Sequence, residues 1–201
     1  LSRGLGDVYK RQNVDRPWNA ISSYQAPVEK AETFEVYPNR DSLPFMEDYK
    51  FDPTWKVKNF VRGTLRLNGW SSAWQDIFNE IEGLSGKTGD DRLKEMSDQL
   101  WNDNAYEKNE PDRVVLCVSL KAEIGNSVKW HKTFVMDAWG DGGESAMSRL
   151  VSQPVSLAVE AVTQKKLEAG VQAAPSNIDI VDNWLSIIDE LAQYLNIIHH
   201  N

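Results

Sequence analysis

Two long β-patterned segments joined by a tight turn constrain this chain more than any other feature. Residues 112–123 and 127–137 are rich in Val, Leu and Phe, and Gly125-Asn126 separates them. Gly and Asn tolerate the left-handed backbone that short hairpin turns require. The pattern predicts an antiparallel hairpin, with Cys117 and Val135 near the middles of its two strands.

Strand and helix patterns alternate through the rest of the chain. Alternating apolar residues predict strands at 32–37 and 55–67. Ser42 is a candidate N-cap for a short helix that runs to Tyr49. The expected fold class is therefore α/β (α+β), a mixed β-sheet with flanking helices. Apolar offsets of three and four predict further helices at 70–81, 90–101, 144–169 (with Pro154 interrupting the period) and 177–199.

Charge and composition exclude several classes of partner. The net charge is -8 with no basic block, which argues against nucleic acid. No apolar run is long enough to span a bilayer, so no membrane partner is expected. The single Cys117 excludes an internal disulfide and a Cys-rich zinc site, and His199 and His200 lack further ligands, so no metal is predicted. A cytoplasmic location follows as the default.

The beginning of the chain fits no structural period. Residues 1–12, LSRGLGDVYKRQ, resemble a translated sequencing adapter of the kind found in metagenomic reading frames. We interpret them as an artefact and expect the natural protein to extend upstream; a disordered natural tail is the alternative. Residues 13–30 are polar and broken by Pro17 and Pro27, which predicts a connector.

Two short polar motifs are the strongest candidates for binding chemistry. Residues 37–42, Tyr-Pro-Asn-Arg-Asp-Ser, follow a predicted strand, and residues 62–66, Arg-Gly-Thr-Leu-Arg, come about twenty positions later. Arg40 can bind a carboxylate through two parallel hydrogen bonds, with Asp41 holding its guanidinium in place. Thr64 adds a hydroxyl donor. On spacing alone, the alternative that these residues only stabilise a turn stays open.

The same motifs resemble a known family. The stretch YPNRDSLPFMEDY followed by FVRGTLRLNGW is similar to the substrate-domain signature of saccharopine dehydrogenases of the L-glutamate-forming type. KTFVMDAWGDGG, ESAMSRLVSQPVSLAVEAV and EAGVQAAP are similar to the end of that family and occur in the matching order. The resemblance runs from about Phe34 to the C-terminus, and residues 82–110 match poorly.

The resemblance implies a domain organisation. Residues 31–139 correspond to a substrate-binding domain with a helical insertion at about 70–110. Residues 140–201 correspond to C-terminal helices that return to a Rossmann domain absent from this chain. Apolar surface on the last two helices is expected to be exposed without that partner.

The resemblance also implies a site. Arg40 corresponds to a residue that pairs with a carboxylate of saccharopine, an amino-acid substrate. Thr64 and Arg62 line the same pocket, and Asn39 and Asp41 are further expected substrate-binding residues. A catalytic acid or base cannot be named in this chain.

The family uses NAD(P), but this chain lacks the sequence that binds it. No G-x-G-x-x-G follows a predicted strand, and residues 140–143 lack that spacing. We therefore expect no nicotinamide cofactor to bind this fragment tightly. The glycine cluster is either a hinge or a source of backbone amides near a cofactor phosphate.

The expected function follows from the resemblance. The chain is interpreted as part of an NAD(P)-dependent oxidoreductase of lysine metabolism that acts on the secondary amine of saccharopine and gives glutamate and 2-aminoadipate 6-semialdehyde. Alone it is expected to be inactive. The alternatives are an enzyme resembling carboxynorspermidine dehydrogenase and a non-catalytic binding or dimerisation module; a homodimer is a possible state.

Overall fold

The structure of the chain is a computed structural model that describes residues 13–39, 41–171 and 173–200. The described residues divide into two compact units. Unit 1 comprises residues 13–25, 33–78 and 170–174, and unit 2 comprises residues 26–32, 79–169 and 175–200, apart from the positions that are not described. The interpretation of residues 1–12 as an artefact lies outside the described residues.

Unit 1 is built on a three-stranded sheet with the order β1-β2-β3. Strands β2 and β3 run antiparallel, from Phe34 opposite Leu67 to Pro38 opposite Gly63. The helices are short, and a 3-10 turn at Pro17–Ala20 precedes the sheet. The elements are β1 (Ser22–Ala26), β2 (Glu32–Pro38), α1 (Pro44–Asp48), β3 (Gly63–Leu67), α2 (Trp70–Ala73) and α3 (Gln75–Glu82), of which β1, β2 and α3 each extend beyond the unit at one end.

Aromatic rings form much of the packing in unit 1. Phe78 is buried, and the Trp18 ring stacks on it with 4.6 Å between centroids. Trp70 meets Phe78 edge-on at 5.2 Å and stacks on Tyr37 at 5.3 Å. Stacked and edge-to-face pairs of this kind add stability beyond the area that they bury. The predicted β2 strand is thereby fixed against the helical segment that follows β3.

Unit 2 is built on a second three-stranded sheet, with the order β4-β5-β6. The predicted hairpin is confirmed: β4 and β5 pair from Arg113 opposite Trp139 to Ile124 opposite Ser127. Gly125 in the turn has φ +60°, which a residue without a side chain adopts most easily. The elements are α4 (Gly86–Asp103), β4 (Arg113–Ile124), β5 (Ser127–Trp139), α5 (Ala146–Thr163), α6 (Ile178–Leu191) and β6 (Tyr194–His199).

The predicted strand at 55–67 is wrong over most of its length. Only Gly63–Leu67 forms a strand. The Asp52 carboxylate accepts hydrogen bonds from the backbone and hydroxyl of Thr54, which turns the chain just before the predicted strand. Phe60 then packs edge-on against Phe51 at 5.4 Å instead of facing a neighbouring strand. The spacing of apolar residues alone does not distinguish packing against a ring in a loop from packing against a neighbouring strand.

The predicted helix at 177–199 is also wrong at its end. The helix stops at Leu191, where Ala192 turns to an extended backbone with φ -102° and ψ 149°. Residues 194–199 then form β6, which pairs with β5, so that Thr133 lies opposite Ile198. A six-residue segment with four apolar or aromatic residues fits either period, and the tertiary pairing with β5 decides between them.

The other helix predictions hold with shifted ends. The helix predicted at 70–81 is split at Trp74 into α2 and α3. The helix predicted at 144–169 is α5, which continues through Pro154. The predicted α/β (α+β) class is therefore confirmed. Among the described residues, no helix is long and apolar enough to cross a membrane.

Candidate functional site

The pairing of β2 with β3 places Arg62, Thr64 and Arg66 on one face of the unit 1 sheet. Tyr37 lies opposite Thr64 and Glu35 opposite Arg66, so these four side chains share a face of the sheet. The ladder continues for one more bond, since the Asn39 amide donates to the Arg62 carbonyl at 2.7 Å. Arg62, Thr64 and Arg66 thus alternate along β3 and its N-terminal extension and project toward the same side. We call them the arginine face.

Arg62 is held at both its backbone and its side chain. Its amide donates to the Ser42 hydroxyl at 3.0 Å, so Ser42 does not cap α1 as predicted. The helix instead begins after Leu43, with Pro44 in its first position. The Arg62 guanidinium lies 3.6 Å from the centroid of the Phe45 ring. A guanidinium stacked on a ring keeps its N–H groups at the edges available to a carboxylate.

Arg66 lies beside the stacked rings of Tyr37 and Trp70. Its guanidinium is 5.8 Å from the Tyr37 centroid and 5.6 Å from the Trp70 centroid, and it donates to the Tyr37 hydroxyl at 3.1 Å. Among the described residues, neither Arg62 nor Arg66 forms an ion pair with a carboxylate. Two cations on one face therefore keep the capacity to bind an anion.

Glu35 is a carboxylate on the arginine face, but backbone amides already donate hydrogen bonds to it. Its oxygens accept hydrogen bonds from the amides of Ser71 at 2.6 Å and Gly69 at 3.0 Å. These bonds, the one from Ser71 first, hold the pKa of the Glu35 carboxyl below its usual value. Glu35 thus serves as the acceptor at the start of α2, where orphan amides need one, rather than as the counter-ion of Arg66.

The predicted site residues fall into three groups. Thr64 and Arg62 lie together on the arginine face, both half-buried, with Asn39 at its end. Asp41 is exposed, and its carboxylate accepts the Leu43 amide at 3.1 Å, which shapes the turn into α1. Arg40 lies outside the described residues, so its assignment stays a prediction.

Sequence reasoning missed the aromatic rings that support the two arginines. Phe45 belongs to the short helix predicted to end at Tyr49, and Trp70 begins the helix predicted at 70–81. The quoted motifs contain all of these rings, but their contacts with Arg62 and Arg66 cross between β2, β3 and the helices. The only usable signal was the clustering of aromatic residues beside both arginine motifs.

The glycine cluster at 140–143 is not an open phosphate cradle. The Asp112 carboxylate accepts from the amides of Ala146 at 2.7 Å and Met147 at 2.8 Å, at the start of α5. Burial raises the pKa of Asp112, but these amides outweigh it, so the pKa is lowered. Asp141 likewise accepts from the Glu144 amide, a bond that leads the lowering of its own pKa. These amides already have an anionic partner.

Two surface depressions in unit 2 are poor candidates for an acidic ligand. One is lined by residues 104–107 and Glu110, and the other includes Glu110, Asp112 and Glu144. Their carboxylates would repel a substrate that carries several carboxylates of its own. The arginine face of unit 1 has the opposite charge.

Comparison with known families identifies the class of protein. The family described as the saccharopine dehydrogenase C-terminal domain matches residues 8–197, and the chain belongs to that family. This makes it an oxidoreductase-related domain, and the resemblance deduced from the sequence is confirmed. No curated protein sequence matches the chain.

A solved structure shows the same fold. The chain is similar to apo histidine-tagged saccharopine dehydrogenase (L-Glu forming) from Saccharomyces cerevisiae, with a TM-score of 0.67 and 19% sequence identity. The match covers 92% of this chain and 55% of that one, so this chain spans about half the length of the yeast protein. At this identity the likeness concerns the fold.

Proposed function

We propose that this chain supplies the substrate-binding part of an NAD(P)-dependent saccharopine dehydrogenase, and that its arginine face binds substrate carboxylates. The observation that supports this is the placement of Arg62, Thr64 and Arg66 on one face, with aromatic support under both guanidiniums. Residues four positions apart on a strand are about 13 Å apart. Two arginines anchored at backbone positions with that spacing suit a long substrate with carboxylates at separate ends better than a single small anion.

The proposed reaction needs binding groups in this chain and a cofactor from elsewhere. When bound, NAD(P)+ supplies the hydride acceptor. In the proposed reaction a hydride would leave the methylene carbon that joins the aminoadipate arm to the secondary amine of saccharopine, and the amine would lose a proton to give a C=N bond. Water adds to that carbon and the C–N bond breaks, which gives glutamate and 2-aminoadipate 6-semialdehyde. In this proposal the residues of this chain orient the carboxylates of the substrate. None of them is assigned as the acid or base. A cytoplasmic location belongs to the same proposal.

The charge of the face favours a carboxylate substrate over a polyamine. A carboxynorspermidine-like substrate has a cationic arm, which requires carboxylates with free oxygens. Glu35 is the carboxylate on the arginine face, and the amides of Gly69 and Ser71 occupy its oxygens. Arg62 and Arg66 would repel such an arm.

Helix α5 carries the surface that the proposal assigns to the nucleotide-binding half. One stripe along it is apolar and exposed by more than half. Monomeric proteins rarely expose continuous apolar surface of this length. We propose that a Rossmann domain packs on the stripe in the complete enzyme. The stripe consists of Met147, Val151, Val155, Val159 and Val162, which are 55–61% exposed.

Calorimetric titration with saccharopine, glutamate and NADPH tests the arginine face. We expect the chain to bind saccharopine, with no heat from NADPH. Arg62→Met should weaken saccharopine binding by about tenfold to a hundredfold, because it removes one charge-assisted pair. Arg66→Met should act in the same direction.

Arg92→Met is the matched control, because Arg92 is a half-buried arginine of unit 2 that pairs with Glu80 and Glu95. It should leave saccharopine affinity unchanged. Equal affinity of the Arg62→Met and Arg92→Met variants would overturn the assignment of the site. Absence of saccharopine binding by the unmodified chain and by a complete enzyme that contains it would overturn the proposed function.

A further inference from the structure

Two histidines lie ring against ring at one end of the unit 2 sheet. His131 on β5 and His200, just after β6, have nearly parallel rings with 3.9 Å between their centroids. The His200 amide donates to the His131 carbonyl at 3.1 Å, which continues the pairing of β6 with β5 by one residue. Among the described residues, no group of three or more His, Cys, Asp and Glu side chains could hold a metal ion. Histidine ordinarily gains and loses a proton near neutral pH, so the pair is a candidate for a pH-sensitive contact.

Two hydroxyls connect the histidine rings on the same face of the sheet. Ser119 lies opposite Thr133 in the β4–β5 register, and the Thr133 hydroxyl donates to the Ser119 hydroxyl at 3.1 Å. His200 Nε2 is 2.9 Å from Thr133 Oγ1, and His131 Nε2 is 3.3 Å from Ser119 Oγ. These four side chains form one continuous chain of hydrogen bonds, and Thr133 in its middle is buried.

The number of hydrogens available gives this chain a direction. A hydroxyl has one hydrogen to donate, and that of Thr133 is directed at Ser119, so Thr133 Oγ1 accepts from His200 Nε2. The arrangement that uses every donor then has the Ser119 hydroxyl donating to His131 Nε2. In this arrangement His131 Nε2 carries no proton. A proton added to that nitrogen removes the hydrogen bond from Ser119.

Charge also acts against protonation of His131. Two imidazolium rings at 3.9 Å repel each other, and Lys121, opposite His131 in the register, adds a further positive charge on this face. Burial, and then the charges of His200 and Lys121, lower the pKa of His131. Glu123 is a carboxylate near this end of β4, but Lys121 binds it at 2.7 Å. The closed pair therefore favours a neutral His131.

The other charged residues near the pair do not offset an imidazolium either. Lys132 and His199 lie opposite each other, one position along the strands, and project from the other face of the sheet. Lys129, two positions before His131 on β5, is exposed. A second positive charge on the stacked rings therefore meets further cations on β4 and β5.

We propose that His131 and His200 form a pH-sensitive clasp that holds the last residues of β6 on β5. The clasp is closed while His131 is neutral and opens when both rings are charged, which detaches His200 and the neighbouring Ile198 from β5. It lies in unit 2 and uses none of the residues of the arginine face, so it goes beyond the proposed function.

The lowered pKa of His131 sets the direction of the pH dependence. The stability that the clasp contributes is present above the usual histidine pKa of about 6.5. It is lost as the pH falls from there toward the lowered value of the folded chain, because the open state then binds more protons than the closed one.

Amide hydrogen exchange of the full chain, followed by NMR with EDTA present, tests the clasp. The His200 amide reports on it directly, since it donates to the His131 carbonyl. After correction for the pH dependence of intrinsic exchange, its protection should fall about tenfold between about pH 7.5 and pH 5, because one proton shifts an opening equilibrium by up to tenfold per pH unit. Amides paired within the β4–β5 hairpin should keep their protection.

His131→Phe keeps a flat ring against His200 but cannot gain a proton, so the protection of the His200 amide should no longer depend on pH. His199→Phe is the matched control, because His199 is the adjacent histidine and projects from the other face; it should retain the fall. An equal fall in His131→Phe, its loss in His199→Phe, or no fall in the unmodified chain would overturn the proposal. If circular dichroism shows that His131→Phe misfolds, His200→Phe decides, since it leaves one chargeable ring and should weaken the pH dependence of the amide of residue 200.

Discussion

Arg113 in unit 2 and Arg66 in unit 1 both lie on paired strands and beside aromatic rings, since the Arg113 guanidinium is 4.9 Å from the Trp139 centroid, but the two arginines differ in their ion pairs. The Arg113 guanidinium binds the two Asp137 oxygens at 2.7 and 2.8 Å and Glu32 at 2.7 Å, and its side chain is only 20% exposed. Hydrogen bonding to Asp137 leads the rise in the pKa of Arg113. Arg66 is exposed and has aromatic rings and a tyrosine hydroxyl beside it.

The difference separates a structural arginine from a candidate binding arginine. An arginine whose donors already meet two carboxylates has little left for a ligand, and removing it leaves buried anions unpaired. An arginine stacked on rings is positioned without being neutralised. Removing that one should affect ligand binding and leave the fold nearly unchanged.

The largest expected effect is that of Arg113→Met. It leaves Asp137 and Glu32 without their shared cation in a partly buried position, and we expect a loss of about 3 kcal/mol in the free energy of unfolding. Urea denaturation followed by fluorescence measures it. Lys87→Met, which removes an ion pair between largely exposed side chains, should change the same quantity by less than about 0.5 kcal/mol. Similar losses of stability in the two variants would contradict the prediction that the ion pairs of Arg113 contribute more than the exposed ion pair of Lys87.

A smaller effect is expected for Ser42→Ala in unit 1. Its hydroxyl accepts the Arg62 amide, and the loss of that hydrogen bond should cost about 1 kcal/mol. Saccharopine affinity should also fall, because the Arg62 backbone is no longer tied to the turn after β2. Ser72→Ala, at an exposed position in α2, is a suitable control. Lost stability with unchanged affinity would show that Ser42 supports the fold alone.

The smallest effect concerns the acid dependence of unit 1. The hydrogen bond from the Ser71 amide, with that from Gly69, lowers the pKa of Glu35 in the folded chain. Its contribution to stability is therefore present above the usual pKa of a glutamate carboxyl and is lost as the pH falls through the lowered folded value. Glu35→Gln should therefore give a shallower loss of stability between about pH 5 and pH 3. Denaturation curves at several pH values provide the test, and a slope equal to that of the unmodified chain would contradict it.

The sequence predicts those parts of the molecule in which the signal is local. The β4–β5 hairpin follows from two alternating runs and the Gly125-Asn126 turn, all within one continuous segment. β6 does not, because its six residues become a strand only by pairing with β5. A short apolar run carries no record of such a distant partner.

The same limit applies to the site. Arg62 and Thr64 could be nominated from the motif in which they occur, and the structure brings them to one face. The capping role of Glu35 could not, because it depends on amides 34 and 36 positions away in the chain. Asp112 accepts hydrogen bonds from the first amides of α5 over a similar separation in sequence. Residue spacing could not predict that role either.

The position of β6 in chain order has a consequence for how unit 2 assembles. The β4–β5 hairpin can close within microseconds, since its strands are contiguous and its turn is short. β6 follows α5 and α6, so its pairing with β5 waits for both helices to form and dock, which is a slower, non-local step. Until then the edge of β5 presents unpaired amides and carbonyls that another strand could pair with. Misassembly of this chain is therefore expected mainly during this interval.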